Sequence, residues 1–338
     1  MKVIIFIIVV LLILAKSKFF KKKDHSDSDN WNHEMSGPVN REDVDVKYSA
    51  PENLKLTTEN GSVSDSEDEE LSDDDTAYQG NEEEDKYSIE YLECLTGCEC
   101  VMIAKIGSNL SSQEILDKYY FYLEQGKREG FTPVFIHDEE SVIDSMKLEA
   151  DASSAKTDEE LRTTMEIYRN KLLSSDVADG RAFLEYQLEN DIKKIPGKWD
   201  SFMNGQVEKR NEEYEEEYEE EDYLSLTSGI YNIVMVKVPV TEPWKIWAYL
   251  PYGSWNACPS PEEHMAVAKY WYETYGAIPA AITYECVDYL LPRPVDDPKK
   301  TAIEVYAYCG ECFEQVYVNF ASIGEDIKDR KIWNFWWD

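Results

Sequence analysis

The sequence predicts a mixed α/β (α+β) fold: two β-α-β units with a helical insert between them, preceded by a membrane anchor and a disordered acidic arm. Three observations predict it. Residues 3–15 are an unbroken apolar run. From Asp24 to about Lys86 the chain is polar and acidic, with few large apolar residues. Beyond Tyr87, where most of the nine Trp and twenty-three Tyr lie, two segments repeat one plan of β-like run, capped helix and β-like run.

The anchor reads VIIFIIVVLLILA. As a helix it spans only ~20 Å against a hydrocarbon thickness of ~30 Å. Phe19 and Phe20 extend the apolar stretch through residues 3–20, and Lys16 and Lys18 can snorkel. Five lysines follow the span and one precedes it. That asymmetry places the C-terminal side in the cytoplasm, as a single-pass protein tethered through residues 3–20. The alternative is secretion after signal cleavage, but KSKFFKKK stands where a cleavage site needs small neutral residues.

Residues 24–87 carry runs such as SVSDSEDEELSDDD, which cannot bury enough apolar surface to offset their ordering entropy. Over all 338 residues the net charge is −35. Phosphate recognition needs a basic surface, so nucleic acid is not an expected partner. Seven cysteines cannot all pair within the chain, which fits reduced thiols.

The first unit, residues 88–146, runs VMIAKIGS, then NLSSQEILDKYYFYLEQGKREGF, then TPVFIHDE. Ser111 with Glu114 is a capping box, and Gly130 precedes Pro133 at the far end. An insert follows at 147–228. Its Leu161, Met165, Tyr168 and Leu172 share one helix face, Pro196-Gly197 stops the pattern, and the acidic block NEEYEEEYEEEDY occupies 211–223. The second unit, within 229–338, runs KIWAYLPYGSWNA, CPSPEEHMAVAKYWYETYGA and IPAAITYE. Ser260 with Glu263, Pro261 at the first helical position, and Gly276 before Pro279 match the first unit in mechanism. Each unit is expected to hold parallel strands joined by a crossover helix. After it come a helix over PKKTAIEVYAYCGECFEQ, a short helix at SIGEDIKDRK, and IWNFWWD as a strand covered on both faces, an interior position.

The segments VPVTEPWKIWAYLPYGSWNACPSPEEHMAVAKYWYETYGAIPAAITYE, AIEVYAYC and WNFWWD resemble DUF4253, a mainly bacterial domain of unknown function. The resemblance covers about 238–338, and GKREGFTPVFI at 126–136 is similar to what often precedes it. It carries Trp255, Asn256, Cys258, His264, Trp271, Glu304, Cys309, Gln315, Trp336 and Asp338 onto family positions. The family has a Cys-Pro-Asp-like run where this chain has CGEC, so any role for Cys312 is particular to this chain. The resemblance supplies no activity.

Cys258 lies two residues before the helix N-cap, where a lowered thiol pKa is expected. With His264 one turn on, and Glu304 or Asp338 as orienter, it would form a nucleophilic constellation. A weaker alternative gathers Cys258, His264, Cys309 and Cys312 around zinc. No P-loop, GxGxxG, GxSxG or HExxH motif is present, and no cofactor is implied. Two functions follow as expectations. One is a protein-binding module that meets its partner through an aromatic groove, with Trp255, Asn256, Trp271, Gln315 and Trp336 as binding residues. The other is a thiol- or carboxylate-dependent hydrolase centred on Cys258 and His264.

Overall fold

The computed structural model describes residues 87–208 and 222–337. The anchor at 1–23, the arm to residue 86, most of the 211–223 block and Asp338 lie outside the described residues. Among the described residues no helix is long and apolar enough to cross a membrane.

Six strands form one mixed sheet: β1 (Glu99–Ala104), β2 (Thr132–His137), β3 (Ile233–Val238), β4 (Ile278–Ile282), β5 (Cys286–Leu290) and β6 (Ile332–Trp336). Their spatial order is β1-β3-β2-β4-β5-β6. The helices are α1 (Ile89–Thr96), α2 (Ser112–Glu129), α3 (Glu140–Glu149), α4 (Asp158–Ser174), α5 (Gly180–Asn190), α6 (Lys198–Asn204), α7 (Pro261–Tyr275), α8 (Pro298–Tyr308), α9 (Gly310–Val316) and α10 (Phe320–Ile327).

The local signals act as their chemistry dictates. Both capping boxes form, at Ser111 with Glu114 and at Ser260 with Glu263. Gly130 and Gly276 close α2 and α7 in the left-handed conformation, φ +83° and +74°. Each helix then feeds a strand, and those two strands, β2 and β4, pair side by side and parallel at the centre of the sheet. In the insert, Leu161, Met165 and Leu172 form the buried face of α4.

The first unit meets its expectation, and two others are corrected. In the first unit β1 and β2 run parallel, because each is antiparallel to β3, but β3 lies between them. The second unit has no opening strand. Pro243 lacks an N–H to give to a ladder, and Pro243–Ala248 winds instead as a 3₁₀ turn that buries Ile246 and Trp247. The preceding strand β3 is antiparallel to β4, so this half is not a β-α-β unit. Finally, β6 is an edge strand. Its Trp333 and Phe335, with Trp337 just beyond, are buried, whereas Asn334 and Trp336 are half-exposed. β3, β5 and α1 carry no motif in the sequence reading.

One face of the sheet packs Phe135, Ile233, Met235, Leu290 and Ile332 against Ile115, Tyr119 and Leu123 of α2. On the other, Trp271 of α7 stacks on Phe335 with ring centroids 5.5 Å apart and meets Tyr289 edge-on at 5.2 Å. A strap over residues 222–226 covers the β6 end, burying Leu224 and Leu226. Backbone N–H groups of Lys331 and Ile332 donate to Asp222. The fully buried Asp288 accepts from the Ser225 hydroxyl and the Asn334 amide, both at 2.8 Å.

Three outcomes follow. Phe335 is fully buried, so Phe335→Ala is expected to cost on the order of 3–5 kcal/mol. Deleting 333–338 should abolish the cooperative thermal melt, and deleting 1–86 should preserve it; a melt kept after the C-terminal deletion removes β6 from the core. Burial pushes the Asp288 carboxyl up to about 6 from its ordinary 3.8. The stability linked to its protonation is present below about 3.9 and is lost as pH rises through about 6. Wild type should therefore gain melting temperature relative to Asp288→Asn as pH falls from 7 to 4. A constant difference between the two melts would show that Asp288 does not titrate in that window.

Candidate functional site

The capping box at Ser260 fixes the start of α7 and sets His264 in its first turn, facing inward. The loop at 251–259 folds back over that ring. Its backbone takes positive φ at Gly253 (+122°), Ser254 (+65°) and Asn256 (+47°). Glycine is required at 253: a Cβ there would lie 1.9 Å from the Pro259 carbonyl oxygen and 3.0 Å from His264 Nε2. The Ser254 N–H donates to the Pro259 carbonyl, and the Cys258 N–H donates to the Trp255 carbonyl at 2.8 Å.

The structure brings Cys258 and His264 together, with Sγ 3.6 Å from Nε2. On the other side of the ring, Nδ1 shares a 2.6 Å hydrogen bond with the Tyr308 hydroxyl, which lies 3.3 Å from that of Tyr289. Trp247 stacks on the imidazole at 4.4 Å and 15°, and Trp337 meets it edge-on. His264 is fully buried and Cys258 is 6% exposed. Burial pushes the imidazole down to about 3. It raises the thiol well above its ordinary value, and Glu149 and Glu263 push the same way. The lowered thiol pKa expected from the helix N-terminus is thus reversed. A helix end offers about half a charge, which cannot offset the near-complete loss of water around a thiolate.

Glu304 is elsewhere. Its carboxylate accepts from the Tyr270 and Tyr275 hydroxyls at 2.9 Å each and from the Trp271 indole at 3.3 Å, and Lys300 Nζ lies 3.9 Å away. It braces α8 against α7, and the position facing His264 Nδ1 belongs to Tyr308. Asp338 lies outside the described residues. Cys309 donates its thiol to the Trp336 carbonyl at 2.9 Å. Among the described residues no group of three or more His, Cys, Asp or Glu is gathered to hold a metal.

The expected binding residues are dispersed. Trp271 is fully buried. Trp255, on the loop, stacks on Tyr284 at 6.2 Å, and Asn256 follows it. Trp336 lies on the edge strand. Gln315 alone of the five lines the open pocket, which has a volume of about 430 Å³. Around it stand Asp191, Tyr306, Tyr308, Ala257 and Glu314. Neither Cys258 nor His264 reaches its wall, although their neighbours Ala257 and Tyr308 do. The Tyr306 hydroxyl touches Asp191 Oδ2 at 3.0 Å and also Glu314, which pairs with Lys198. Burial and both carboxylates hold the Tyr306 phenol protonated, far above its ordinary range.

Sequence reasoning missed Tyr308, Tyr306 and Asp191. Tyr308 stands one helical turn beyond Glu304, so their shared face was a usable signal. Asp191 follows α5 in the insert, and nothing in the sequence relates it to residues more than a hundred positions away.

Residues 234–338 match the family described as "Domain of unknown function (DUF4253)". No curated protein and no solved structure matches the chain. The match takes in Cys258, His264, Tyr308 and Glu314, whereas Asp191 lies before it.

The His264 ring is expected to stay neutral down to pH 5 in the folded protein, read from its imidazole carbon and nitrogen shifts. The Cys258 thiol should react with iodoacetamide at least tenfold more slowly than a free cysteine peptide. Rapid alkylation in the native state would mean that the loop at 251–259 opens readily.

Proposed function

We propose that this chain, whose residues 234–338 are DUF4253-like, is a protein-binding module, tethered to the membrane through residues 3–20 and facing the cytoplasm. The observation that carries the reading is the contrast between the two candidate centres. The pocket at the ends of α5 and α8 is open and carries several polar side chains, whereas the Cys258–His264 pair is buried beside it. A nucleophile must meet its substrate and exist in part as thiolate, and burial opposes both here. A docking pocket needs a concave surface with a few placed polar groups, which Asp191, Tyr306, Glu314 and Gln315 supply.

The hydrolase reading keeps one observation in its favour, the 3.6 Å contact between Cys258 and His264. The two readings separate in one experiment. Full-length protein carrying Gln315→Trp, which fills the pocket mouth from an exposed position, is compared with Cys258→Ala and wild type by cross-linking in membranes. Partners captured by wild type should be lost with Gln315→Trp and kept with Cys258→Ala. Equal capture by all three removes the pocket from the interaction. A thiol-dependent esterase or amidase activity lost in Cys258→Ala would establish the hydrolase in its place.

A further inference from the structure

We infer that Cys309 and Cys312 are a reversible disulfide site, through which oxidation stiffens the wall of the open pocket. They are the ends of CGEC, a motif that the proposed function leaves unused. Cys309 is the N-cap of α9 and Cys312 its third residue. The two residues between them are helical, which sets the distance between the cysteine Cα atoms. Three rises of about 1.5 Å on a helix of ~2.3 Å radius give about 5 Å, inside the range of roughly 4.4–6.8 Å that a disulfide spans. Both thiols are free and 1% exposed. Burial raises the Cys309 thiol well above its ordinary value, and the nearby Cys312 thiol pushes the same way.

In the reduced pair Cys309 donates its thiol to the Trp336 carbonyl at 2.9 Å. Gly310, Glu314 and Gln315 of the same helix line the pocket. At seven residues α9 is too short to hold itself helical without tertiary support. A covalent link across its first turn removes open states and so holds that wall more firmly. The oxidant is a low-molecular-weight disulfide of the glutathione type. One cysteine thiolate attacks a sulfur of the oxidant, a mixed disulfide forms, and one small thiol leaves. The second cysteine thiolate attacks the protein sulfur of that mixed disulfide, the Cys309–Cys312 bond forms, and the second small thiol leaves. The two protons lost by the protein end on the released thiols, and two electrons pass to the oxidant. Burial keeps Cys309 protonated, so the exchange waits on local opening of α9. The pair therefore responds to sustained oxidation and not to a brief pulse.

For the test, full-length protein in detergent micelles is equilibrated overnight, without air, in glutathione buffers of rising oxidised fraction. It is then acid-quenched, alkylated and digested with trypsin. One tryptic peptide, 301–328, carries both cysteines and no other. That peptide should lose the mass of two hydrogens, in a proportion that grows with the oxidised fraction and reverses with dithiothreitol. In the oxidised protein the amides of 310–316 should exchange with deuterium at least threefold more slowly than in the reduced protein. Cys312→Ser and Cys312→Ala should show neither change, with the thermal melt of each reporting that it is folded. A wild-type peptide that stays reduced in the most oxidising buffer, or that carries only bound glutathione, overturns the inference. So does a Cys309–Cys312 disulfide that leaves the exchange of α9 unchanged.

Discussion

An imidazole cannot be sealed from water unless each ring nitrogen keeps a partner, and the His264 side of the sheet is arranged around that requirement. Cys258 comes from the loop at 251–259 and faces Nε2, while Tyr308 comes from the end of α8 and faces Nδ1. Trp247 covers the ring from the 3₁₀ turn, and Trp337 closes its edge from just beyond β6. One ring thus ties four chain segments, separated by up to ninety residues in sequence, to the first turn of α7. Displacing Cys258 or Tyr308 strands a ring nitrogen in an apolar cage, at a cost of about 1–3 kcal/mol for the bond alone.

The same logic governs the other buried polar groups. Glu304 is affordable inside the protein because three donors from α7 converge on it and Lys300 lies near. Asp288 is held by the strap and by Asn334 of the neighbouring strand, which locks residues 222–226 over the end of the sheet. That cover also resolves the problem of an aromatic edge strand. A row of free backbone groups beside Trp333 and Phe335 would invite pairing with another chain. The strap, with Asp222 on the Lys331 and Ile332 amides, withdraws part of that row.

What the sequence revealed follows from the range of the interactions concerned. Capping boxes, glycine stops and the α4 face are set by residues within four positions of each other, and all are found in the structure. The strand order is set by pairing between β2 and β3, almost a hundred residues apart, which no local pattern encodes. The opening of the second unit misled because KIWAYL satisfies a strand and a 3₁₀ turn equally well, and Pro243 decides between them. At the site, Cys258 and His264 were legible because a six-residue spacing across a helix start brings them together. Tyr308 and Asp191 were not, since their positions depend on how α8 and α5 dock.

Burial decides the relation between the two candidate centres. Turning Cys258 into a nucleophile requires the loop at 251–259 to lift, breaking its bonds at Ser254 and Cys258 and wetting Tyr252 and Trp247, both fully buried. Exposing two such aromatic side chains costs on the order of 3–6 kcal/mol, a large part of a domain's typical ~5–15 kcal/mol. The thiol would still require deprotonation beside Glu149 and Glu263. The pocket demands none of this: its wall is already formed, and its carboxylates already face water. The pair and the pocket nevertheless share Tyr308, whose hydroxyl holds His264 while its residue lines the pocket. The sealed pair is therefore best understood as the rigid backing of the binding wall, its hydrogen bonds fixing the end of α8 in the position that the open face presents.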